Sequence, residues 1–367
     1  MIYVRPDGGV FAAPFDLGSL ALAGPAVPVL EGVQGDVRGL FPDLALSLSG
    51  SLLMIAGQGG RSGTLEAVWV SREGTATTVD PTWEFRVPTN LGWALSPDGS
   101  RLAIAITDDV SSNNDIWIKE LDRGPASRLT VHVAPDVRPR WTPDGRSVSF
   151  RSPRSGDGEV YVRVADATLP AELAVAIDEP IWEAVWSLDG NWLVLRTGAA
   201  GQRDIWALRA GVDSVPTRLL ASDFDENAVA LSPDGKWLAY QSDETGQIEI
   251  YVRPFPDITA GTWPVSVGGG SLPLWAHSGR ELFYVDGDGQ MVAAQVSTSP
   301  AFEVRERQRL FSMDPYLIAA VYTSFDISPD DQRFLMARPA GAGDEAPASA
   351  LILVENWFEE LKAKVGR

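Results

Sequence analysis

Large apolar residues stand immediately before a short polar tetrapeptide, and apolar residues at alternate positions follow it, repeatedly along the chain. Leu46, Leu95, Trp141, Trp186, Leu231, Trp275 and Ile327 hold the upstream place. Downstream, Leu102, Val148, Leu193, Leu238, Leu282 and Phe334 are each followed two residues later by Ile104, Phe150, Leu195, Tyr240, Tyr284 and Met336. A period of two predicts strands on both sides. The tetrapeptide reads Ser96-Pro97-Asp98-Gly99, Thr142-Pro143-Asp144-Gly145, Ser187-Leu188-Asp189-Gly190 and Ser232-Pro233-Asp234-Gly235. Weaker copies are Ser47-Leu48-Ser49-Gly50, Ala276-His277-Ser278-Gly279 and Ser328-Pro329-Asp330-Asp331. A hydroxyl can bond an amide ahead, Pro presets φ, Asp tolerates the next position and Gly takes the left-handed one, which together make a tight hairpin turn.

Two more strands follow the hairpin in the clearer repeats. Asp115-Ile116-Trp117, Glu159-Val160-Tyr161, Asp204-Ile205-Trp206 and Glu249-Ile250-Tyr251 share one phase and predict a third strand whose ring packs between sheets. Ser127-Arg128-Leu129-Thr130, Thr217-Arg218-Leu219-Leu220 and Gln308-Arg309-Leu310-Phe311 predict a shorter fourth. The seven copies of the turn end at residues 50, 99, 145, 190, 235, 279 and 331, a spacing of about 45, which is the length of one four-stranded propeller blade. The expected fold is therefore all-β, a single β-propeller domain over 1–367 of about seven four-stranded blades. The 13 Trp residues supply flat surfaces for blade-on-blade packing.

The ends refine this expectation. The last repeat offers strands around 325–327, 334–337 and 351–354 but no fourth. Ala26-Val27-Pro28-Val29-Leu30 resembles a fourth strand, and a ring must pair its first and last blades to remove open edges. Residues 1–35 are accordingly expected to be a closing segment in which 26–33 complete the last blade. Residues 36–324 would then form six full blades, and 325–367 the last blade with a short C-terminal helix. The hairpin 2–15 is left over and keeps an eight-bladed alternative open. Asn356 and Glu359 have capping-box spacing, and Glu359-Glu360-Leu361-Lys362 places acid before base as a helix dipole prefers.

The run Ser232-Pro233-Asp234-Gly235-Lys236-Trp237-Leu238-Ala239-Tyr240, followed by Glu249-Ile250-Tyr251-Val252-Arg253-Pro254-Phe255-Pro256, resembles the WD40-like repeat of TolB-type propellers. More closely, it resembles the propeller region carried C-terminally by many bacterial eukaryote-like serine/threonine kinases. Asp115-Ile116-Trp117, Arg128-Leu129-Thr130, Glu281-Leu282-Phe283-Tyr284, Asn356-Trp357-Phe358-Glu359-Glu360-Leu361-Lys362 and Val10-Phe11-Ala12-Ala13-Pro14-Phe15-Asp16 agree with that pattern. The resemblance covers essentially the whole chain and implies a sensory or protein-binding appendage to which no catalytic residues are ascribed. The chain departs from those kinases in lacking kinase elements and in starting partway through what would be a blade.

Composition narrows the chemistry. Acidic residues outnumber basic ones 49 to 30, a formal charge of −19, which repels phosphate backbones and argues against a nucleic-acid partner. With no cysteine, disulfides, thiolate metal sites and Cys nucleophiles are excluded. The N-terminus does not read as a signal peptide, and no apolar run of about 18 residues predicts membrane insertion, so a soluble monomer is expected with its compartment open. No Gly-x-Ser-x-Gly elbow occurs, and only His132 and His277 could serve a triad. Asp157-Gly158-Glu159 and Asp286-Gly287-Asp288-Gly289 read as hairpin turns rather than calcium loops, and Gly268-Gly269-Gly270-Ser271 as a crossover. No cofactor, metal or catalytic residue is therefore assigned.

The remaining surface is the mouth of the central channel, built by the first residues of the inner strands. By register these include Asp43, Asn90, Arg138, Arg140, Glu183, Glu226, Asn227, Ser271 and Tyr322. Such a mixed-charge ring fits a protein, peptide or small polar ligand, and the expected function is a non-catalytic binding scaffold. The alternatives are an enzyme, hydrolase or lyase, with its site at the channel mouth, or the accessory propeller of a peptidase.

Overall fold

The computed structural model describes residues 1–4, 9–30, 33, 44–56, 64–88, 92–108, 111–122, 124–199, 201–299, 301–341 and 350–365. Where the sequence reading has one domain, the chain divides into two compact units, Met1–Leu65 with Pro339–Arg367 and Glu66–Arg338.

The second unit is a β-propeller, and its described residues form six four-stranded antiparallel sheets. The first holds Trp93–Leu95, Arg101–Thr107, Asn114–Glu120 and Ser127–Arg128. The second holds Val137–Trp141, Ser147–Ser152, Glu159–Val164 and Glu172–Val175. Glu183–Trp186, Trp192–Thr197, Asp204–Arg209 and Thr217–Leu220 make the third. Asn227–Leu231, Trp237–Ser242, Glu249–Pro254 and Trp263–Pro264 make the fourth. The fifth holds Gly270–Trp275, Glu281–Asp286, Gln290–Ser297 and Glu303–Ser312. In each, strand order follows chain order.

The sixth sheet departs from chain order. Asp326–Ile327 and Arg333–Pro339 are followed outward by Leu65–Ser71 and Ala76–Thr78. An N-terminal segment does close the ring, but it is 65–78 rather than 26–33. The reason is apolar content. Val68 and Val70 are fully buried in a core shared with Phe283, Phe311, Phe325 and Phe334 of the fifth and sixth sheets. Arg338 Nε meets Glu66 Oε1 at 2.8 Å, and Arg72 makes a fork on Glu281 at 2.7 and 3.0 Å. Val27–Leu30 instead pairs with Val10–Ala12 in a three-stranded sheet of the first unit.

The tetrapeptide turns explain both the hairpins and their stacking. Ser96 Oγ donates to Asp98 at 2.5 Å and accepts from Arg101 N at 2.9 Å, while Asp98 also accepts from Ser100 N at 3.0 Å. The same bonds recur at Thr142, Ser187, Ser232 and Ser328. Gly99 adopts φ 70°, and a β-carbon there would stand 2.6 Å from Pro329 of the sixth turn. Gly145 faces Pro97 and Gly190 faces Pro143 in the same manner. The motif thus packs each proline against the next turn, and the sixth turn against the first.

These bonds hold the turn carboxylates low. Asp98 is pulled to about 2, first by the Ser96 hydroxyl and then by the Ser100 amide, and Asp144, Asp189 and Asp330 are lowered for the same reasons. Depressed folded-state values contribute stability that is present above the unfolded value near about 4 and lost as pH falls through the folded one. Thermal melts should therefore lose stability between about pH 4 and 2. Ser96→Ala should flatten that loss, and an unchanged pH profile would contradict it.

At the third strand the expected ring is buried in the core at Tyr161 and Tyr251 but not at the two tryptophans, where only the aliphatic neighbour is buried. Ile116, Ile205 and Ile250 are fully buried, whereas Trp117 and Trp206 are partly exposed and carry Arg128 and Arg218 at 6.0 and 4.9 Å from their ring centres. The preceding acid anchors the outer strand: Asp115 pairs with Arg128, and Glu249 accepts from Ser266 and Gly269 N.

The first unit has two three-stranded sheets. One contains Ile2–Val4, Val10–Ala12 and Val27–Leu30; the other contains Leu44–Leu46, Leu52–Ala56 and Ala350–Val354. The turn Ser47–Gly50 therefore lies outside the six-sheet ring, which is why counting turns suggests seven blades. The expected C-terminal helix is present as Trp357–Val365. Trp357 N donates to Gly50 O at 2.8 Å, and Trp357 joins Val10, Val29, Leu52 and Met54 in this unit's core. The Glu359 carboxylate bonds Lys362 at 2.7 Å, one turn on.

Candidate functional site

The inner strands bring most of the expected mouth residues together. Their starting ends are irregular in a repeated way. The pairing register shifts between Val137 and Arg140, between Asn227 and Ala230, and between Ser271 and Leu274. Arg138, Ala228 and Leu272 sit in these shifts with φ 54°, 51° and 59°. A bulge of this kind re-aims a side chain, and at Arg138 it throws the guanidinium across the channel. Gly92 permits this approach, since a β-carbon there would lie 2.8 Å from Arg138 Cα.

Arg138 lies over the Tyr322 ring at 4.0 Å and donates to Trp182 O. A residue of the second sheet thereby touches both the strand start of the third and the residue leading into the sixth. Arg140 donates to Trp93 O at 3.1 Å and Thr323 O at 3.4 Å. Glu183 is buried and pairs with buried Arg196 at 3.5 Å. Glu226 accepts from Ser222 and stands beside Asn227, whose amide donates to Asp225 O at 3.2 Å. Asn90 and Asp43 lie outside the described residues.

Several buried atoms here have no hydrogen-bond partner among the described residues: Arg138 Nε, Arg196 Nε, both Glu183 oxygens, Glu226 Oε2 and Asn227 Oδ1. Buried polar groups are normally satisfied, so such a concentration marks a place where another molecule or water completes the bonding. Burial pushes Arg138 down, and Glu183 and Tyr322 only partly oppose this. Arg151 is pushed to about 10, first by burial and then by the charge of Arg138. Arg196 also reaches about 10 through burial, offset by Glu183. Burial raises Glu226.

Sequence reasoning missed Trp182, Arg151 and Arg196, although a signal exists. Arg151 and Arg196 occupy the position six after the turn glycine, where the other sheets carry Ala105, Gln241 and Val285. Charge at a position otherwise small, amide or apolar was the available clue. Cross-strand pairing puts Arg151 opposite Val137 and Arg196 opposite Glu183, so both reach the same end of the ring.

At the turn end, all six sheets line a cavity of about 240 Å³ walled by Leu95, Trp141, Trp186 and Trp275. Its charged members are structural. Asp326 accepts from Leu95 N and Ile327 N, each at 2.9 Å, tying the sixth sheet to the first. His277 Nδ1 lies 3.2 Å from Asp331, which also accepts from the amides of His277 and Ser278. Ser278 Oγ faces Arg280 N, so this His–Asp pair braces neighbouring turns. His132 Nδ1 accepts from Ala134 N in its own loop.

These features define a β-propeller, and comparison shows which propellers it is similar to. Residues 85–227 match the family model described as TolB beta propeller domain. A TolB structure from Agrobacterium tumefaciens is similar with a TM-score of 0.56 at 17% identity, covering 75% of this chain and 97% of that one. TolB from Acinetobacter baumannii gives 0.53 at 13% identity, covering 86% and 76%. Tricorn protease homolog 1 of Streptomyces coelicolor is 33% identical over 131 residues, 34% of this chain and only 11% of that protein. Among the described residues no helix is long and apolar enough to cross a membrane.

Proposed function

We propose that the ring is a non-catalytic binding module that receives a peptide or protein segment at the mouth formed by Arg138, Glu183, Glu226, Asn227 and Tyr322. The observation that carries this reading is the convergence of buried, incompletely bonded donors and acceptors at that end, while the charged groups at the turn end are satisfied by backbone. Pre-formed sites of this kind combine aromatic surface with a few polar groups that fix orientation. The resemblance to propellers appended to kinases fits the same role, as a sensory appendage. Selection of peptides against the full chain tests it. Enriched peptides should lose at least tenfold in affinity with Glu183→Gln and keep it with Leu188→Asp at the turn end. Peptides sensitive only to Leu188→Asp, or no enrichment, would overturn the reading.

The match to the Streptomyces protein favours a second reading, in which the ring accompanies a peptidase and meets its substrates at the same mouth.

A further inference from the structure

The large apolar residue ahead of each turn has a destination that the mouth does not use. In all six sheets of the ring that residue, from Leu95 and Trp141 to Trp275 and Ile327, reaches the cavity of about 240 Å³ at the turn end. The second residue of the turn lines the same cavity as Pro97, Pro143, Leu188, Pro233 and His277, of which Pro97, Leu188 and His277 are exposed. One step back along the inner strand, Val185, Ala230 and Leu274 stand half-buried on the third, fourth and fifth sheets. On those three sheets every lining residue except His277 is apolar, so one side of the cavity is continuous apolar surface.

The polar groups of the wall are already engaged. Arg140 donates to two carbonyls, at 3.1 and 3.4 Å, and faces Asp326. Asp326 accepts two amides, each at 2.9 Å, and the Thr323 hydroxyl donates to Pro273 O at 2.9 Å. The indole N–H groups of Trp141 and Trp186 donate to Ala94 O and Ser149 Oγ, both at 3.0 Å, which also fixes the two rings in place. Among the described residues, Trp275 Nε1 is the only buried side-chain donor or acceptor of the wall without a partner, and an indole N–H carries no charge to select an ion. Arg140 against Asp326 leaves no charge for a ligand to neutralise.

Water is held poorly in such a place. An ordered water needs about two to four polar partners, and the apolar side offers almost none. Displacing poorly ordered water with an apolar group gains affinity. An apolar cavity of about 150 Å³ holds benzene, so the larger volume here leaves room for a second ring. Indole walls favour a flat ring, which meets them offset or edge to face.

We propose that the turn-end cavity binds a neutral aromatic small molecule of about two rings, seated on Val185, Ala230 and Leu274 and flanked by the indoles of Trp141, Trp186 and Trp275. The site is separate from the mouth and stands whether or not a peptide binds there.

Calorimetric titration of the full chain with 2-naphthol, the 2-naphthoate anion and decahydro-2-naphthol tests the inference. 2-Naphthol should bind at one site, at least tenfold more tightly than 2-naphthoate, with the negative heat-capacity change of apolar burial. The saturated analogue should bind more weakly than 2-naphthol. Ala230→Trp, which fills the cavity, should cost at least tenfold in 2-naphthol affinity. If that variant fails to fold, the methyl resonances of the unaltered protein serve instead: Val185, Leu231 and Leu274 should shift on addition of 2-naphthol, and Val137, at the opposite end of its inner strand, should not. Absence of binding, or shifts at Val137 and not at Leu274, would overturn the site. Equal affinity for 2-naphthol and 2-naphthoate would overturn its selection of a neutral ligand, and equal affinity for the saturated analogue its selection of an aromatic one.

Discussion

Replacing Val68 with aspartate should abolish the cooperative unfolding of the six-sheet ring near room temperature. Val68 is fully buried in the core shared by the fifth and sixth sheets, beside Phe283 and Phe334, whose rings meet edge to face at 5.0 Å. An unpaired carboxylate placed there costs several kcal/mol, against a total stability of about 5–15 kcal/mol for a typical domain. The lesion also sits in a closing strand, so the ring loses its last two strands and exposes the edge of Arg333–Pro339. Calorimetry and near-UV circular dichroism would read the effect. The same change at Val29, buried in the first unit, should leave the ring's own transition in place. Loss of the ring's transition in Val29→Asp and not in Val68→Asp would reverse the assignment of the closing strand.

The second large effect belongs to Asp326. Its two oxygens accept the amides of Leu95 and Ile327, and removing them leaves two donors without acceptors, at about 1–3 kcal/mol each. Desolvation raises its pKa, opposed by those amides and by Arg140. A raised folded-state value contributes stability that is fully present below the unfolded value near about 4 and lost as pH rises through the folded one. Asp326→Ala should therefore destabilise by about 2–4 kcal/mol at pH 4 and by less at pH 7, because raising the pH favours the ionised form that burial penalises in the native protein. Denaturant titrations at both pH values measure this. A larger loss at pH 7 than at pH 4 would contradict the burial of Asp326.

Much of the ring is legible in the sequence because its repeating unit writes itself in local chemistry. Ser96, Asp98 and Gly99 each do something a turn requires, and the alternating residues after them can face only one core. Closure was less legible. Val27–Leu30 and Leu65–Ser71 both read as apolar strands, and nothing local distinguishes which of them pairs with Arg333–Pro339. That choice is made by long-range packing, through Val68 and Val70 on Phe311 and Phe334 and through Arg72 on Glu281. Counting turns also overreached, since Ser47–Gly50 obeys the same turn chemistry in a three-stranded sheet.

At the mouth, register alone brought Arg138, Glu183, Asn227 and Tyr322 to one end. The reach of Arg138 to Tyr322 depends on a bulge, which no residue pattern announces. Arg151 and Arg196 come from second strands, so a search confined to the first residues of inner strands passes over them. Trp182 was hidden differently: it precedes Glu183 in the chain and reads as one more packing tryptophan, whereas its carbonyl and ring hold two arginines.

The central claim is that residues 65–78 close the ring, since the mouth is complete only if the sixth sheet stands beside the first. Native-state hydrogen exchange tests this most directly. The amides of Leu65–Ser71 and Ala76–Thr78 should exchange together with those of Arg333–Pro339, in the most protected class of the ring. Rapid exchange of both segments, with Val27–Leu30 instead sharing the protection of Arg333–Pro339, would contradict it.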